Sequence, residues 1–221
     1  TQSGSDWWRE TASCVWSITN SAQCLTNSLS RMRMTRLGTD TSGLPGIPDG
    51  AILTAQIERV DWRGNVSVTE YNALGQVAYT EDEATNRTAY AYDELGRRTA
   101  VIDALSNAVY TANDSLGNVA AIWGAAYPVA YEHDTAGRMT AMYTYRGTQE
   151  ISSQSEIETL KSQMDRTRWL YDGATGLLTN KVYADGKGTA YGYTTSGLLA
   201  TRTWARGVTA DYFYDTLDQL I

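Results

Sequence analysis

A short phrase that recurs along the chain constrains its fold more than any other feature. It reads Tyr-Ala-Tyr-Asp-Glu-Leu-Gly at positions 90–96, and near-copies follow at 131–137, 191–197 and 212–218. From Gly75 to Gly137, the glycines of successive copies are 21, 21 and 20 residues apart. A fixed period of this length indicates that one supersecondary unit is used many times, so we expect a repeat array.

The acid and the glycine of each copy are typical of a tight turn. Asp or Asn at the first turn position accepts a hydrogen bond from the backbone two residues on, and a later glycine adopts the left-handed conformation that reverses the chain. The predicted turn residues, all with a structural role, are Asp93, Gly96, Asp114, Gly117, Asp134, Gly137, Asp172, Gly176, Gly197 and Asp215. Runs rich in β-formers lie between them, and second turns are predicted at 81–86 and 103–107. One unit is therefore strand, turn, strand, second turn.

The sequence predicts an all-β fold of sequential antiparallel β-hairpins that form a continuous curved or spiralling sheet, with about 21 residues in each hairpin. The array is expected over residues 51–221. Residues 39–50 contain Pro45 and Pro48 and are expected to be a loop. Residues 1–38 lack the phrase and are expected to form an atypical N-terminal hairpin or cap.

One interval between turn glycines is 39 residues long, which indicates an insertion at about 150–167. Ser153, followed three residues later by Glu156, is typical of a capping box with Ser153 as the N-cap. Three apolar residues follow at helical spacing, namely Ile157, Leu160 and Met164. We predict one short α-helix over 154–166 that packs on the sheet or at its edge.

The residues Tyr-Asp-Glu-Leu-Gly-Arg at 92–97, with the runs at 171–178 and 181–186, resemble the YD repeats of the RHS family over about residues 58–221. This family includes bacterial polymorphic toxins, the large subunit of insecticidal toxin complexes and the extracellular teneurins of animals. The resemblance implies a strip of hairpins that spirals into a hollow shell, which in several members encloses a toxic C-terminal segment. It therefore implies a non-enzymatic structural segment of a large secreted or cell-surface bacterial protein, which encloses or displays another domain.

The same resemblance sets the expected partners. The chain begins at Thr1 without Met and stops inside a repeat, so we interpret it as a fragment of a larger polypeptide. Its main partner is then the remainder of that polypeptide. Exposed strand edges at the ends of the array would also allow self-association.

Two cysteines, Cys14 and Cys24, lie in the atypical N-terminal segment. Residues 7–35 have the pattern of a hairpin whose centre falls near residue 19, which would place the two cysteines opposite each other. Facing cysteines favour a disulfide formed in an oxidising compartment, and free buried thiols are the open alternative.

Tyrosine and tryptophan dominate the aromatic content, with 15 Tyr and 7 Trp against one Phe. This composition is typical of broad, half-solvated β surfaces. The aromatic residues two positions before the repeated Tyr form one set, which is Tyr90, Tyr131, Trp169, Tyr191 and Tyr212. A spacing of two places both rings on the same face of a strand. The set is a candidate glycan-binding surface, and cross-strand packing between hairpins is the simpler alternative.

Charge and motifs disfavour several function classes. The net charge of −7 disfavours nucleic acid, and no apolar run is long enough to span a membrane. His133, the single histidine, occupies the position that Tyr92 has in another copy, which favours a structural residue over a general base or a metal ligand. Each repeated Asp has a turn role, whereas glycosidases use one close pair of carboxylates. We therefore expect no catalytic residue, no cofactor and no metal site.

Overall fold

The computed structural model describes residues 7–12, 29–40, 52–61, 63–147 and 150–221, with side chains described from residue 53 onward. The chain divides into two compact units, Thr1–Tyr110 and Thr111–Ile221. The first unit contains β1 (Trp7–Ala12), β2 (Leu29–Asp40), β3 (Ile52–Val60), β4 (Val66–Asn72), β5 (Val77–Glu81), β6 (Arg87–Tyr92) and β7 (Arg98–Ile102). Strand β8 (Ala108–Asn113) runs across the boundary between the units.

The second unit continues the series and adds the helix. Its strands are β9 (Val119–Gly124), β10 (Val129–His133), β11 (Met139–Thr144), β12 (Asp165–Tyr171), β13 (Leu178–Val182), β14 (Gly188–Tyr193), β15 (Leu199–Thr203) and β16 (Thr209–Asp211). Between β11 and β12 lie α1 (Gln154–Leu160) and a turn of 3-10 helix (Lys161–Gln163). Among the described residues, α1 is the one α-helix, so the prediction of an all-β fold with a single short helix is confirmed.

Strand order in each unit follows chain order, from β1 to β8 in the first unit and from β8 to β16 in the second. The pairing is antiparallel throughout, for example Tyr90 opposite Val101 and Tyr191 opposite Arg202. The predicted sequential β-hairpins are therefore confirmed. A one-residue shift in register recurs just before the Asp turns, as between Ala91 and Tyr92. This shift is the bulge that a hairpin loop closed by a left-handed glycine requires.

The N-terminal segment contributes a hairpin in which β1 pairs with β2, with Trp7 opposite Met34 and Ala12 opposite Leu29. Strand β2 ends at Asp40, two residues into the range 39–50 that was expected to be a loop. Cys14 and Cys24 lie outside the described residues, so their disulfide stays a prediction.

Helix α1 begins where the capping box predicts and ends earlier than expected. The Glu156 backbone N–H donates to Ser153 Oγ at 3.3 Å, and the Glu156 carboxylate accepts from the Ser152 N–H at 2.7 Å. The helical segment ends with the 3-10 turn at Gln163, a few residues before the expected end near 166, because Asp165 already pairs with Thr144 in the sheet. Strand pairing therefore takes the residues that helical spacing alone would assign to the last turn.

The buried core of the second unit lies where α1 covers the sheet. Ala121, Ala130 and Ala141 have no exposed surface beneath the helix, and Ile157 of α1 is fully buried against them. Small side chains let the helix approach the strands closely. The first unit has a smaller cluster of its own, formed by Leu53, Ala78, Tyr79, Ala89 and Ile102.

Candidate functional site

The repeated phrase folds into one turn whose carboxylate is fully engaged by hydrogen bonds. In the copy at Asp93, the Gly96 N–H donates to the Asp93 carbonyl at 2.9 Å, and Gly96 has φ +80°. Asp93 Oδ1 accepts from the N–H groups of Leu95 at 3.0 Å and Arg97 at 2.8 Å. Asp93 Oδ2 accepts from Arg97 Nε at 2.7 Å. Each half of the carboxylate therefore has a structural partner inside its own turn.

The same arrangement recurs in other copies, with Asn or Arg four residues after the Asp. Asn118 donates to Asp114 Oδ2 at 3.0 Å, and Arg138 donates through Nε to Asp134 Oδ2 at 2.7 Å. Hydrogen bonds from the Arg138 backbone and side chain lower the pKa of Asp134. A carboxylate held ionised in this way is poorly suited to act as a general acid near neutral pH.

Two turns at the opposite end of the strands, between β5 and β6 and between β7 and β8, use the same hydrogen bonds without glycine. Asp82 and Asp103 each accept backbone and Asn side-chain hydrogen bonds four residues on, at 2.8 to 2.9 Å. Thr85 and Ser106 take the glycine position, with φ of 63° and 66°. Both turns were expected from the sequence, but their likeness to the Asp–Gly turns was not, because non-glycine residues rarely adopt positive φ.

The repeated tyrosine before the Asp joins one hairpin to the preceding one. The hydroxyl groups of Tyr92, Tyr193 and Tyr214 each donate, at 2.8 to 2.9 Å, to the carbonyl fifteen residues earlier. That carbonyl belongs each time to the first residue of an odd-numbered strand, for example Val77 in β5. Tyr171 makes the equivalent bond to Met139 at 2.9 Å across the helical insertion. We call this bond the tyrosine staple.

The carbonyl oxygens of two turn glycines accept a hydrogen bond from a side chain of the preceding turn. Gln76 Nε2 donates to the Gly96 carbonyl at 2.9 Å, and Arg138 Nη1 donates to the Gly176 carbonyl at 3.0 Å. A Cβ added at Gly96 or Gly176 would lie 3.0 or 2.9 Å from those same donor atoms. Glycine at these positions thus provides both a left-handed turn and room for the neighbouring repeat.

His133 takes the tyrosine position without making the staple. Its Nδ1 is buried, has no hydrogen-bond partner among the described residues, and lies 3.7 Å from Asp114 Oδ2. No serine or cysteine nucleophile is hydrogen-bonded to it in the part of the chain that the structure describes. The surroundings of His133 are those of a substituted tyrosine in a structural position.

The candidate glycan residues fall into the two units. Tyr90 lies in the first unit, on β6. The other four lie on one face of the second unit, and these are Tyr131, Trp169, Tyr191 and Tyr212. All five side chains are half-buried. The second-unit set therefore lies on one face, and each ring keeps part of its surface in solvent.

Two further features concern metals and membranes. Among the described residues, no group of three or more His, Cys, Asp or Glu side chains is placed to hold a metal ion. The helical part of those residues contains no segment that is long and apolar enough to cross a membrane.

Comparison with known proteins agrees with the repeat geometry. Residues 71–108 match the family described as RHS Repeat, which confirms the resemblance seen in the sequence for that stretch. No curated protein sequence matches the chain.

Solved structures of toxin complexes are similar to this chain. A crystal structure of TcdB2-TccC3-TEV is 14% identical with a TM-score of 0.53, and the match covers 87% of this chain and 11% of that chain. A crystal structure of TcdB2-TccC3 without its hypervariable C-terminal region is 15% identical, covers 90% and 12%, and has a TM-score of 0.44. The Photorhabdus luminescens Tc holotoxin pore is 15% identical, covers 87% and 15%, and has a TM-score of 0.39. At this identity the first similarity shows the fold alone, and the present chain spans about a tenth of that protein, 11%.

Proposed function

Because residues 71–108 match the RHS repeat, we propose that this chain is a structural segment of a larger, secreted YD-repeat protein of bacterial origin. In this proposal the hairpins form part of a β-shell or scaffold that encloses or displays another domain. The segment carries out no reaction itself, and its main partner is the rest of its own polypeptide.

The tyrosine staple is the observation that carries this proposal. Tyr92, Tyr193 and Tyr214 connect successive hairpins through the same atoms and the same interval of fifteen residues. A part-buried hydrogen bond of this kind contributes about 0.5–1.5 kcal/mol, and repetition multiplies that contribution along the array. The side chains that sequence reasoning would examine first for chemistry, the repeated Tyr and Asp, thus serve to build a long wall.

Electron cryomicroscopy of the full-length polypeptide that contains this segment tests the proposal. We expect residues 63–221 to form part of the wall of a closed β-structure, with another part of the polypeptide inside it or mounted on it. Limited proteolysis should then leave this segment intact and protect whatever it encloses. A full-length structure in which the segment is a detached domain that encloses and supports nothing would overturn the proposal.

Self-association through a sheet edge is a second part of the proposal. The hairpin that follows β15 exposes Phe213, Leu220 and Ile221, with 65, 62 and 77% of their surface accessible. Apolar side chains next to a strand edge favour pairing with another strand. Sedimentation velocity over a range of concentrations should show association of the wild-type chain that Phe213→Lys reduces. A chain that stays monomeric at high concentration would contradict this part.

A glycan-binding or adhesion surface is the alternative function. The observation in its favour is the shared face of Tyr131, Trp169, Tyr191 and Tyr212, whose half-buried rings leave some surface in solvent. A glycan array with wild-type protein and a Tyr191→Ala, Tyr212→Ala double variant tests it. Hits that the double variant loses would rank this function above a purely structural one, whereas an array without hits would remove it.

A further inference from the structure

The face of the second unit opposite α1 carries aromatic rings and cations in alternation. In chain order the row is Trp169 on β12, Lys181 on β13, Tyr191 on β14, Arg202 on β15 and Tyr212 just after β16. We propose that this aromatic–cation row binds an acidic polysaccharide, a chain of sugars that bear carboxylate or sulfate groups. The proposal rests on the alternative function above and is independent of the scaffold role, so each can fail without the other.

Strand register places the five side chains on one face. Trp169 lies directly opposite Lys181, and Tyr191 lies directly opposite Arg202. Directly opposed residues of antiparallel strands point to the same side of a sheet. Helix α1 covers the other side, because its contact Ala141 pairs with Arg168, the chain neighbour of Trp169. The row is therefore free of the helix.

The rings hold the cations in place. Lys181 Nζ lies 5.0 Å from the ring centroid of Trp169 and 5.4 Å from that of Tyr183. The Arg202 guanidinium carbon lies 4.8 Å from the ring of Trp204 and 5.8 Å from that of Tyr191. Each cation is thus between two aromatic rings, which orders it without cancelling its charge. Rings on alternate strands, and likewise the cations, recur at steps of about 10 Å across the sheet.

These two charges have no carboxylate partner in the part of the chain that the structure describes. Some other cations of the described residues do, since Arg87 pairs with Glu81 and Arg166 pairs with Glu132. Arg202 Nε is also without a hydrogen-bond acceptor among the described residues. An ordered cation that no carboxylate neutralises attracts an external anion.

The local charge around the row differs from that of the whole chain. Residues 165–221, from the start of β12, contain six Lys and Arg and six Asp and Glu, whereas the whole chain has a net charge of −7. Four of the six acids lie in turns, and these are Asp172, Asp185, Asp215 and Asp218. Asp165 is paired with Arg146. Asp211 follows Ala210, which pairs with Arg202, and so lies on the opposite face. The aromatic–cation row is therefore positive in an acidic protein.

An acidic sugar chain fits this combination better than a polynucleotide does. Sugars place their apolar C–H faces against Tyr and Trp rings, while their acid groups reach cations at intervals. Single-stranded nucleic acid also uses rings and cations, but it needs a continuous basic groove because its phosphates are closely spaced. Two isolated cations in a chain of net charge −7 do not supply one.

Binding of labelled oligogalacturonate, measured by fluorescence anisotropy, tests the proposal. The row variant carries Lys181→Gln together with Arg202→Gln. The matched control carries Arg168→Gln together with Lys187→Gln. It removes the same total charge away from the row, because Arg168 lies on the opposite face of the sheet and Lys187 lies at a turn. We expect the row variant to bind at least about tenfold more weakly and the control to change by less than about twofold. An uncharged malto-oligosaccharide of equal length should bind much more weakly than oligogalacturonate.

Three results would overturn the proposal: absence of oligogalacturonate binding to the wild-type chain, equal losses in both double variants, or tighter binding of single-stranded oligo-dT than of oligogalacturonate. If the row variant does not fold, a second measurement on the wild-type chain decides. A photoactivatable oligogalacturonate should crosslink to residues 169–212, and crosslinks confined to other segments would reject the site. Lys181→Arg, which keeps the charge, should retain binding.

Discussion

Alanine side chains on the helix-facing side of the sheet are buried in the region beneath α1 and exposed in the strands beyond it. Under the helix, Ala121, Ala130 and Ala141 are completely buried. On the same face of β14, Ala190 is exposed, and no described residue forms a second layer over it. Within the second unit, alanines on this face are therefore buried where α1 lies over them and exposed where it does not.

Both regions nevertheless carry the same hydrogen-bonded repeat. The Tyr171 hydroxyl reaches the Met139 carbonyl next to the helix, and the Tyr193 hydroxyl reaches the Leu178 carbonyl beyond it. The hydrogen-bonded turns and the tyrosine staples therefore recur in both regions, whereas the buried core beneath α1 is present only in the covered region. Removing a core contact should then harm only the covered region, and removing a staple should harm the region that lacks a core.

The largest effect is expected from Ile157→Ala, which opens a cavity in the covered region. Ile157 is fully buried, so the free energy of unfolding should fall by about 2–4 kcal/mol. Leu170→Ala beyond the helix is the control, because Leu170 is 41% exposed and should lose less than about 1 kcal/mol. Urea unfolding followed by circular dichroism measures both. Equal losses would show that the helix provides no special core.

A smaller effect is expected from Gly176→Ala, at the turn that links the two regions. A methyl group there meets both a positive φ of 73° and the Arg138 Nη1 atom at 2.9 Å. Gly186→Ala has a similar φ of 79° but no atom within 4 Å. The first substitution should cost about 2 kcal/mol and the second about 1 kcal/mol, measured by thermal unfolding. If Gly186→Ala lowers the free energy of unfolding as much as Gly176→Ala does, the contact between Arg138 and the Gly176 turn does not contribute to stability.

Removing one staple beyond the helix should cost about 0.5–1.5 kcal/mol. Tyr193→Phe deletes the hydroxyl that donates to the Leu178 carbonyl at 2.8 Å and keeps the ring. Tyr191→Phe is the matched control, since its hydroxyl makes no hydrogen bond within the described residues, and it should be close to neutral. Chemical unfolding of both variants gives the comparison. A neutral Tyr193→Phe would contradict the staple as a source of stability.

Restoring a staple in the covered region should stabilise the chain slightly, by about 0.5–1 kcal/mol. His133→Tyr places a hydroxyl at the position from which Tyr92, Tyr193 and Tyr214 bond to the first residue of an odd-numbered strand, which for this copy is Val119 of β9. It also removes a buried Nδ1 that has no hydrogen-bond partner among the described residues. A rise in melting temperature is the expected result. A fall would show that His133 is required by its neighbours.

The smallest effect is a change in acid sensitivity. Hydrogen bonds from Arg138 lower the pKa of Asp134 in the folded chain, so Asp134 stabilises the fold above its unfolded pKa of about 4. This contribution disappears as the pH falls through the lowered value. Asp134→Asn, which mimics the natural Asn72 turn, should flatten the stability profile below about pH 4. An unchanged profile would show that the carboxylate is not linked to folding.

The turns and the order of the hairpins, which depend on residues close together in the chain, could be predicted from the sequence. Asp93 and Gly96 define their turn through contacts within five residues, and sequential hairpins follow from the period. The end of α1 could not be predicted, because the pairing of Asp165 with Thr144 competes with helical propensity.

The contacts between repeats were also beyond sequence reasoning. The Tyr92 hydroxyl bond to Val77 and the Gln76 bond to Gly96 span fifteen and twenty residues, and the sequence contains no local signal of either. The one hint is the recurrence of Tyr at a fixed position, which identifies a constraint but not its partner. The second turns were predicted, but their left-handed residues Thr85 and Ser106 were not, since this conformation is unusual for these residue types.

The tyrosine staple also sets an order in which neighbouring hairpins can be joined during synthesis. In four copies, the carbonyl at the start of an odd-numbered strand, such as Val77 or Leu199, accepts from a tyrosine hydroxyl of a later hairpin. In a chain that emerges from the ribosome N-terminus first, each of these bonds therefore forms only after the next hairpin has been made. The C-terminal edge of the growing array is then the edge that the following hairpin completes.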